Sequence, residues 1–250
     1  MNMNSPVYIL WLRQVKKYFR SRSRIVGALG QPTLFLIALG FGFGPVFAKA
    51  GGGNYLEFLV PGIIALSILF TATFSGIEVI WDRQFGFLKE TLVAPVNRTK
   101  IMLGRTLGGA TVAVVQGLIV MLISLLLGFQ FNVLMLPVAV VFMFLLGLLF
   151  TALGTAIASL MEDMQGFQLI INFLIMPLFF LSNALFPVDN LPGPLAAVTQ
   201  LNPLSYGVDG MRGALTGVSQ FGLFLDFSVL AVIVIAIMLI GGKLFSKIQA

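Results

Sequence analysis

The sequence predicts an all-α, polytopic membrane protein with six transmembrane helices. Apolar residues make up 58% of the 250 residues and only 10% are charged, whereas soluble domains are about 25% charged. The apolar residues also form long runs, and about 20 of them suffice for a helix to cross the hydrocarbon core of a bilayer. Such runs lie at 25–47, 58–80, 107–128, 133–160, 167–186 and 222–242. Residues 1–250 are therefore predicted to form a single transmembrane domain.

Before the first run, residues 5–22 predict an amphipathic helix. Ser5 and Pro6 supply an N-cap and a first-turn proline. One face is aromatic and apolar and another is basic, with Tyr8, Trp11, Leu12, Val15, Tyr18 and Phe19 on the first and Arg13, Lys16, Lys17 and Arg20 on the second. Such a helix suits the cytoplasmic headgroup layer. A plain membrane anchor and a helix that also touches a cytoplasmic partner both fit this pattern.

A cleaved signal peptide is the competing interpretation of the first run, because Ala48-Lys49-Ala50 has small residues at the spacing of a cleavage site. The apolar run and the 24 residues before it are both too long for a secretory signal. We therefore expect this run to be retained as the first span.

The basic residues are concentrated on one side of the predicted spans. Of the fifteen, six precede the first span, five lie between the second and third, and two follow the last. Only Lys49 and Arg212 fall on the other side. The positive-inside rule then places both termini in the cytoplasm, with the chain in a prokaryotic inner membrane. This placement accounts for the net charge of +6 without a nucleic-acid partner.

The longest predicted cytoplasmic loop, 81–106, carries a short apolar stripe. Phe85, Leu88 and Leu92 recur at i, i+3 and i+7, which indicates a short helix that Pro95 must end. An apolar stripe outside the bilayer needs a partner surface. A connector tucked under the spans is the alternative interpretation.

Between the last two predicted spans, residues 191–215 are too broken to cross the membrane as one helix. This stretch contains three prolines and two charged residues. Because of this stretch, five or seven transmembrane spans remain as alternatives to six.

Several kinds of chemistry are excluded by composition. The chain has no Cys and no His, which removes thiolate nucleophiles, Ser–His hydrolysis and His-bound zinc. A nucleotide-binding P-loop is also missing, because the only Gly-Lys pair, Gly242-Lys243, has Ile237 in place of the first glycine. We therefore expect no catalytic, metal or cofactor site on this chain.

The acidic residues do not favour an ion-coupled carrier, which would need a buried acid near mid-membrane. Glu78 lies near the cytoplasmic end of the second span, where an ion pair close to Asp82 and Arg83 is expected. Asp226 starts the last span, where we expect water to reach it. An ion-coupled secondary transporter and a membrane-embedded enzyme remain as weaker alternatives.

Three segments, spread in order over nearly the whole chain, resemble the type 2 ABC-transporter permease family. They are YLEFLVPG at 55–62, FGFLKETLVAPVNR at 85–98, and LFP at 185–187 followed by LNPLSY at 201–206 and DGMR at 209–212. Members of this family export drugs, polysaccharides and nodulation or antibiotic factors. The resemblance implies a homodimer, or a pair of related permeases, bound to two cytoplasmic ABC ATPase subunits that use the ATP.

The resemblance also implies which residues work with these partners. A coupling helix would contact the ATPase through Phe85, Phe87, Leu88, Glu90, Leu92, Pro95 and Arg98, with Glu162 and Asp163 as a second contact. Outer re-entrant helices before the last span would contain Pro187, Pro192, Asn202, Pro203, Tyr206 and Arg212. The implied function is the permease subunit of an ATP-driven exporter of a hydrophobic or amphipathic compound or a lipid-linked glycan.

The predicted topology can be tested by labelling single cysteines, because the chain has none of its own. Cysteines at Asn2, Asn97 and Gln249 should react with an impermeant maleimide only from the cytoplasmic side. A cysteine at Gly52 should react only from outside. Labelling of Gly52 and Asn97 from the same side would contradict six spans.

Overall fold

The computed structural model describes residues 5–49, 53–93, 96–187 and 192–246, and its regular elements within these ranges are all helical. This confirms the predicted all-α fold. In chain order the helices are α1 (Pro6–Arg20), α2 (Arg22–Lys49), α3 (Tyr55–Phe74), α4 (Ile77–Gln84), α5 (Phe87–Val93), α6 (Arg98–Leu126), α7 (Leu136–Ser159), α8 (Met164–Phe180), α9 (Gly193–Leu201), α10 (Pro203–Thr216) and α11 (Leu223–Ser246), with a 3-10 turn at Val133–Met135.

Among these residues, five stretches are long and apolar enough to span a membrane: 22–49, 55–84, 98–126, 133–159 and 223–246. The remaining predicted span, 167–186, corresponds to α8, which is apolar but only 17 residues long. Helix α8 ends at Phe180 rather than 186. The chain turns at 181–186, where Asn183 adopts a left-handed φ of 59°.

Polar caps move the other helix ends away from the edges of the apolar runs. The apolar run that starts at 107 belongs to the longer helix α6, which begins at Arg98 because the side chain of Asn97 accepts a hydrogen bond from the Thr99 amide at 2.9 Å. The second span begins at Tyr55, where Asn54 caps the helix in the same way. Hydropathy finds the buried middle of a helix, while capping decides where its backbone hydrogen bonds begin.

Helices α3, α6 and α7 form the centre of the bundle, where glycines let their backbones approach closely. A Cβ at Gly154 of α7 would fall on the carbonyl oxygen of Thr73, and one at Gly76 would fall on the Gly154 carbonyl. Gly147 lies in the same way against Ala110 of α6. Small residues allow this close approach between membrane helices.

The predicted amphipathic helix is confirmed as α1, and part of its aromatic face packs against the bundle. It packs along α6, where Gly104 and Gly108 leave room for α1 side chains. Trp11 Nε1 donates to Thr111 Oγ1 at 3.0 Å, and the buried Tyr18 hydroxyl donates to the Gln116 side chain. Thr111 and Gln116 of α6 are therefore the hydrogen-bond acceptors of these two aromatic side chains. The spacing of aromatic residues in α1 did not predict these bonds.

The close contact at Gly154 predicts a destabilising Gly154→Ala substitution. Alanine favours a helix by about 1 kcal/mol over glycine, but the added methyl group must separate α7 from α3, and overpacking costs roughly 1–3 kcal/mol. We expect a lower thermal unfolding midpoint in detergent. The matched control is Gly42→Ala, whose Cβ meets nothing within 4 Å. Equal midpoints for both variants would show that α7 and α3 can separate at Gly154 without loss of stability.

Candidate functional site

The second span does not end at its last apolar turn but continues through Ser75 and Gly76 into α4, which carries two buried acids. Glu78 and Asp82 lie one helical turn apart and are both largely buried. The end of the bundle that holds α4 and α5 is called here the α5 end. Buried carboxylates need charged or hydrogen-bonding partners, so their surroundings define the chemistry of this end.

Each of the two acids lies between two basic side chains. Asp82 accepts from Arg13 Nη2 at 3.1 Å and from Arg105 of α6. Glu78 pairs with Lys17 Nζ at 3.3 Å and with Arg24 Nη1 at 2.8 Å. These four ion pairs join α4 to α1, α2 and α6.

The ion pair predicted for Glu78 near Arg83 does form, but its partners are Lys17 and Arg24. Arg13 and Lys17 are four residues apart on α1, as are Glu78 and Asp82 on α4, so two antiparallel helices can pair both charges at once. That matching spacing was a readable signal. Arg83 instead donates to backbone carbonyl oxygens of the turn after α7.

The pair of Asp82 with Arg105 is the most enclosed of these contacts. The Arg105 side chain is buried, and its Nε and Nη1 atoms have no hydrogen-bond partner among the described residues. Asp82 therefore supplies the compensating charge. Removing one partner of a buried ion pair commonly costs about 3–5 kcal/mol, because the other charge stays buried.

The turn between α7 and α8, which contains Glu162 and Asp163, is attached directly to α4. Arg83 donates to the carbonyl oxygens of Met161 at 2.9 Å and Ser159 at 3.2 Å, and Gln84 Nε2 donates to that of Glu162 at 3.1 Å. The Asp163 carboxylate is engaged in capping α8 through the amides of residues 165 and 166. Glu162 and Asp163 are both exposed, in a turn held against the end of α4.

Helix α5 presents a different surface from the one predicted. Gly86 adopts a φ of +80°, a conformation suited to glycine, so Phe85 lies outside α5 and does not share a helical stripe with Leu88. The Leu88 side chain is only 1% exposed and belongs to the hydrophobic core of the chain. The outward-facing apolar side chains are Phe85 (68% exposed), Phe87 (52%) and Val93 (84%).

The other predicted coupling residues fall in two groups. Pro95 and the side chains of Glu90 and Leu92 lie outside the described part of the structure. Arg98, in the first turn of α6, donates from Nη1 to the Ser246 carbonyl oxygen at 2.6 Å. It thereby holds the start of α6 against the end of α11 at the α5 end.

At the opposite end, called here the α10 end, the predicted re-entrant stretch forms two helices, α9 and α10. Asn202 separates them: its Oδ1 accepts from the Leu204 amide at 3.0 Å, and its Nδ2 donates to the carbonyl oxygens of Leu178 and Leu181 at the end of α8. Pro192 caps α9 and Pro203 occupies the first turn of α10. Pro187 is the last described residue before the gap.

Tyr206 and Arg212, two further residues predicted for this region, hold α10 against its neighbours. The Tyr206 hydroxyl donates to the Gln200 carbonyl oxygen at 2.6 Å, which holds α10 against α9. Arg212 Nη2 donates to the carbonyl oxygens of Asn183 at 2.7 Å and Phe58 at 3.2 Å, and its guanidinium lies 4.0 Å from the centre of the Phe58 ring. Arg212 thus fastens α10 to the first turn of α3 and to the turn after α8.

Asp226 corrects another expectation, because it is 0% exposed rather than reached by water. It lies in the first turn of α11, which packs against α10. Both of its carboxylate oxygens lack a hydrogen-bond partner among the described residues. The neighbouring acid of α10, Asp209, is buried too and accepts the backbone amides of Gln220 and Phe221 at 2.8–2.9 Å.

A bundle of apolar spans with a short, outward-facing helix at one end and a helical cap at the other is typical of a multi-pass membrane protein. The chain belongs to the ABC-2 type transporter family, whose sequence profile matches residues 6–216. It is therefore the membrane-spanning subunit of an ABC transporter, and the family implies a separate ATP-binding subunit.

Individual relatives agree with this assignment. The chain is 32% identical to the putative transport permease ycf38 of Cyanophora paradoxa, over 94% of this chain and 87% of that protein. It is 28% identical to nodulation protein J of Rhizobium leguminosarum bv. viciae (89% and 86% covered). It is 26% identical to the inner membrane transport permease YadH of Escherichia coli K12 (95% and 93%).

The charge network at the α5 end predicts that Asp82→Asn destabilises the permease. The substitution leaves Arg105 buried without a compensating charge, and we expect a loss of about 3–5 kcal/mol in the free energy of unfolding. Thermal or denaturant unfolding in detergent measures it. Glu162→Gln removes the same charge at an exposed position and should stay within about 0.5 kcal/mol. Equal losses for the two substitutions would show that the Asp82–Arg105 pair does not contribute this much to the free energy of unfolding.

Proposed function

We propose that this chain is the permease subunit of an ATP-driven exporter that moves a hydrophobic or amphipathic compound, or a lipid-linked glycan, out of the cytoplasm. The observation that carries the proposal is α5, a short helix that follows the second span and turns apolar side chains outward. In a permease without a nucleotide-binding loop, such a surface suits contact with a separate ATPase. Exposed aromatic residues are typical anchors of protein interfaces.

The proposed ATPase contact centres on Phe85, Phe87 and Val93, with the exposed Glu162 as a neighbouring charged contact. Leu88 has a different role from the one the sequence indicated. Because it is buried in the permease, it anchors α5 to the rest of the chain. A push on α5 can then pass to the permease instead of only tilting a loose helix.

From α5 the movement has a physical route through α4. The ion pairs of Glu78 and Asp82 tie α4 to α1, α2 and α6. The hydrogen bonds of Arg83 and Gln84 tie it to the turn between α7 and α8. A displacement of α4 by the ATPase therefore acts on several spans together, as alternating access requires.

The proposed assembly contains two ABC ATPase subunits and either two copies of this chain or this chain and a related permease. ATP is used by the ATPase subunits. Apolar side chains exposed on the peripheral helix α8, including Leu169, Ile170, Phe173 and Met176, supply a surface for a second permease or for lipid. The α5 end faces the cytoplasm of a prokaryotic cell in this proposal, because the basic residues of α1 and α6 lie there.

The exposed surface of α5 predicts that Phe87→Asp abolishes co-purification with the ATPase and export. Placing a carboxylate in an apolar interface should weaken binding by about 2 kcal/mol or more, while the permease should still insert and fold. The matched control is Val218→Asp, which makes the same kind of change at an exposed position of the α10 end.

Leu88→Asp gives a second comparison. Since Leu88 packs inside the permease, this substitution should lower the unfolding midpoint of the isolated permease, whereas Phe87→Asp should not. Unchanged ATPase binding in Phe87→Asp, or equal losses in Phe87→Asp and Val218→Asp, would show that coupling does not run through the exposed face of α5.

A further inference from the structure

A cavity of about 300 Å³ lies between α2 and α3, near the end of α1. Its volume is at the lower end of the range of small-molecule sites. Its lining includes Arg24 and Gly27 of α2 and Ser67, Phe70, Thr71 and Phe74 of α3. Arg24, Gly27 and Gln31 are exposed on α2, so the cavity opens along that helix.

One wall of the cavity contains a polar group that the permease does not satisfy. Ser67 of α3 is 1% exposed, and its hydroxyl oxygen has no hydrogen-bond partner among the residues that the structure describes. Thr71, one turn further along α3, lines the same cavity. A buried hydroxyl without a partner is unfavourable by roughly 1–3 kcal/mol, so a ligand with a polar acceptor would be stabilised here.

The end of the cavity towards Glu78 has an excess of positive charge. Arg24 donates from Nη1 to Glu78, and Lys17 pairs with the same carboxylate. Two cations thus share one anion, and a guanidinium has five N–H donors, so it can bind a second oxyanion in addition to Glu78.

Apart from Ser67 and Thr71, the α3 wall of the cavity is apolar and aromatic. Phe70 and Phe74 stack with ring centres 6.0 Å apart and an angle of 3° between the ring planes. Pro32 and Ala28 of α2 face the same space, and a side chain at Gly27 would meet nothing within 4 Å. Positive charge at one end and an apolar wall along the side complement a molecule with an anionic head and an apolar chain.

We propose that this cavity binds an anionic amphiphile, with its charged head at Arg24, a polar group near Ser67 and Thr71, and its chain along Phe70 and Phe74. The same chemistry could come from an anionic lipid of the bilayer or from the transported compound. The second case rests on the proposed export function, whereas binding itself does not.

The test measures binding of dodecyl phosphate to the purified permease in a neutral maltoside detergent by isothermal titration calorimetry. Dodecyltrimethylammonium, with the same chain and the opposite charge, is the comparison ligand. We expect saturable binding of dodecyl phosphate only. Arg24→Gln, which removes the charged contact, and Gly27→Leu, which fills the cavity, should each weaken it about tenfold or more.

Two matched controls separate the cavity from the general charge and hydrophobicity of α2. Arg22→Gln removes the same charge outside the cavity, and Gly42→Leu adds the same side chain in open space on the same helix. Both should bind dodecyl phosphate like the unmodified permease. Equal binding of the cationic ligand, or unchanged affinity in Gly27→Leu, would overturn the proposal.

The source of the ligand follows from repeating the titration in lipid nanodiscs. Competition by phosphatidylglycerol, added to phosphatidylcholine discs, would assign the cavity to an anionic bilayer lipid. Undiminished binding in the presence of phosphatidylglycerol would assign it to a transported amphiphile. Neither titration needs the ATPase. If Phe87→Asp left ATPase binding unchanged while dodecyl phosphate still bound the cavity, the proposed coupling would be contradicted and the cavity assignment would stand.

Discussion

The pairing of Asp82 with Arg13 and Arg105 is the constraint on which the α5 end depends. A carboxylate and a guanidinium at the end of a membrane span are stable there only when they compensate each other. Their pairing fixes α4 against α1 and α6, directly before the outward-facing helix α5. Glu78 repeats the arrangement one turn away and adds α2. The start of the chain, the second span and the third span are thus held by one group of charges.

The opposite end is held by different chemistry. There Arg212 donates to backbone carbonyl oxygens and packs on the Phe58 ring, while Asp209 accepts backbone amides. Between the two ends α3, α6 and α7 meet through glycines such as Gly154 and Gly147. Both ends therefore fix helix positions through directional contacts, and the middle packs closely through shape. A relative movement of spans is thus expected to pivot on these contacts.

Hydropathy and charge predicted the class of fold, the helix α1 and a short helix after the second span, because long apolar runs and helical spacing are local signals. They did not predict that α8 ends at Phe180, that Leu88 faces inward, or that Asp226 is buried. Each of these depends on a neighbour distant in sequence or on a turn. The pairing of Arg13 and Lys17 with α4 was predictable from their shared spacing of four residues, but only once α1 was placed against α4.

The ion pair of Arg24 and Glu78 connects the proposed coupling route to the proposed cavity. Glu78 lies on α4, which follows the movement of α5, and Arg24 lies on α2, at the rim of the cavity. An anionic head that binds Arg24 shares this guanidinium with Glu78 and thereby changes the strength of the link between α2 and α4. A displacement of α4 changes the position of Glu78 and thereby the charge that the ligand meets. Ligand binding and ATPase movement would then act on one contact, and linkage requires that each alter the other.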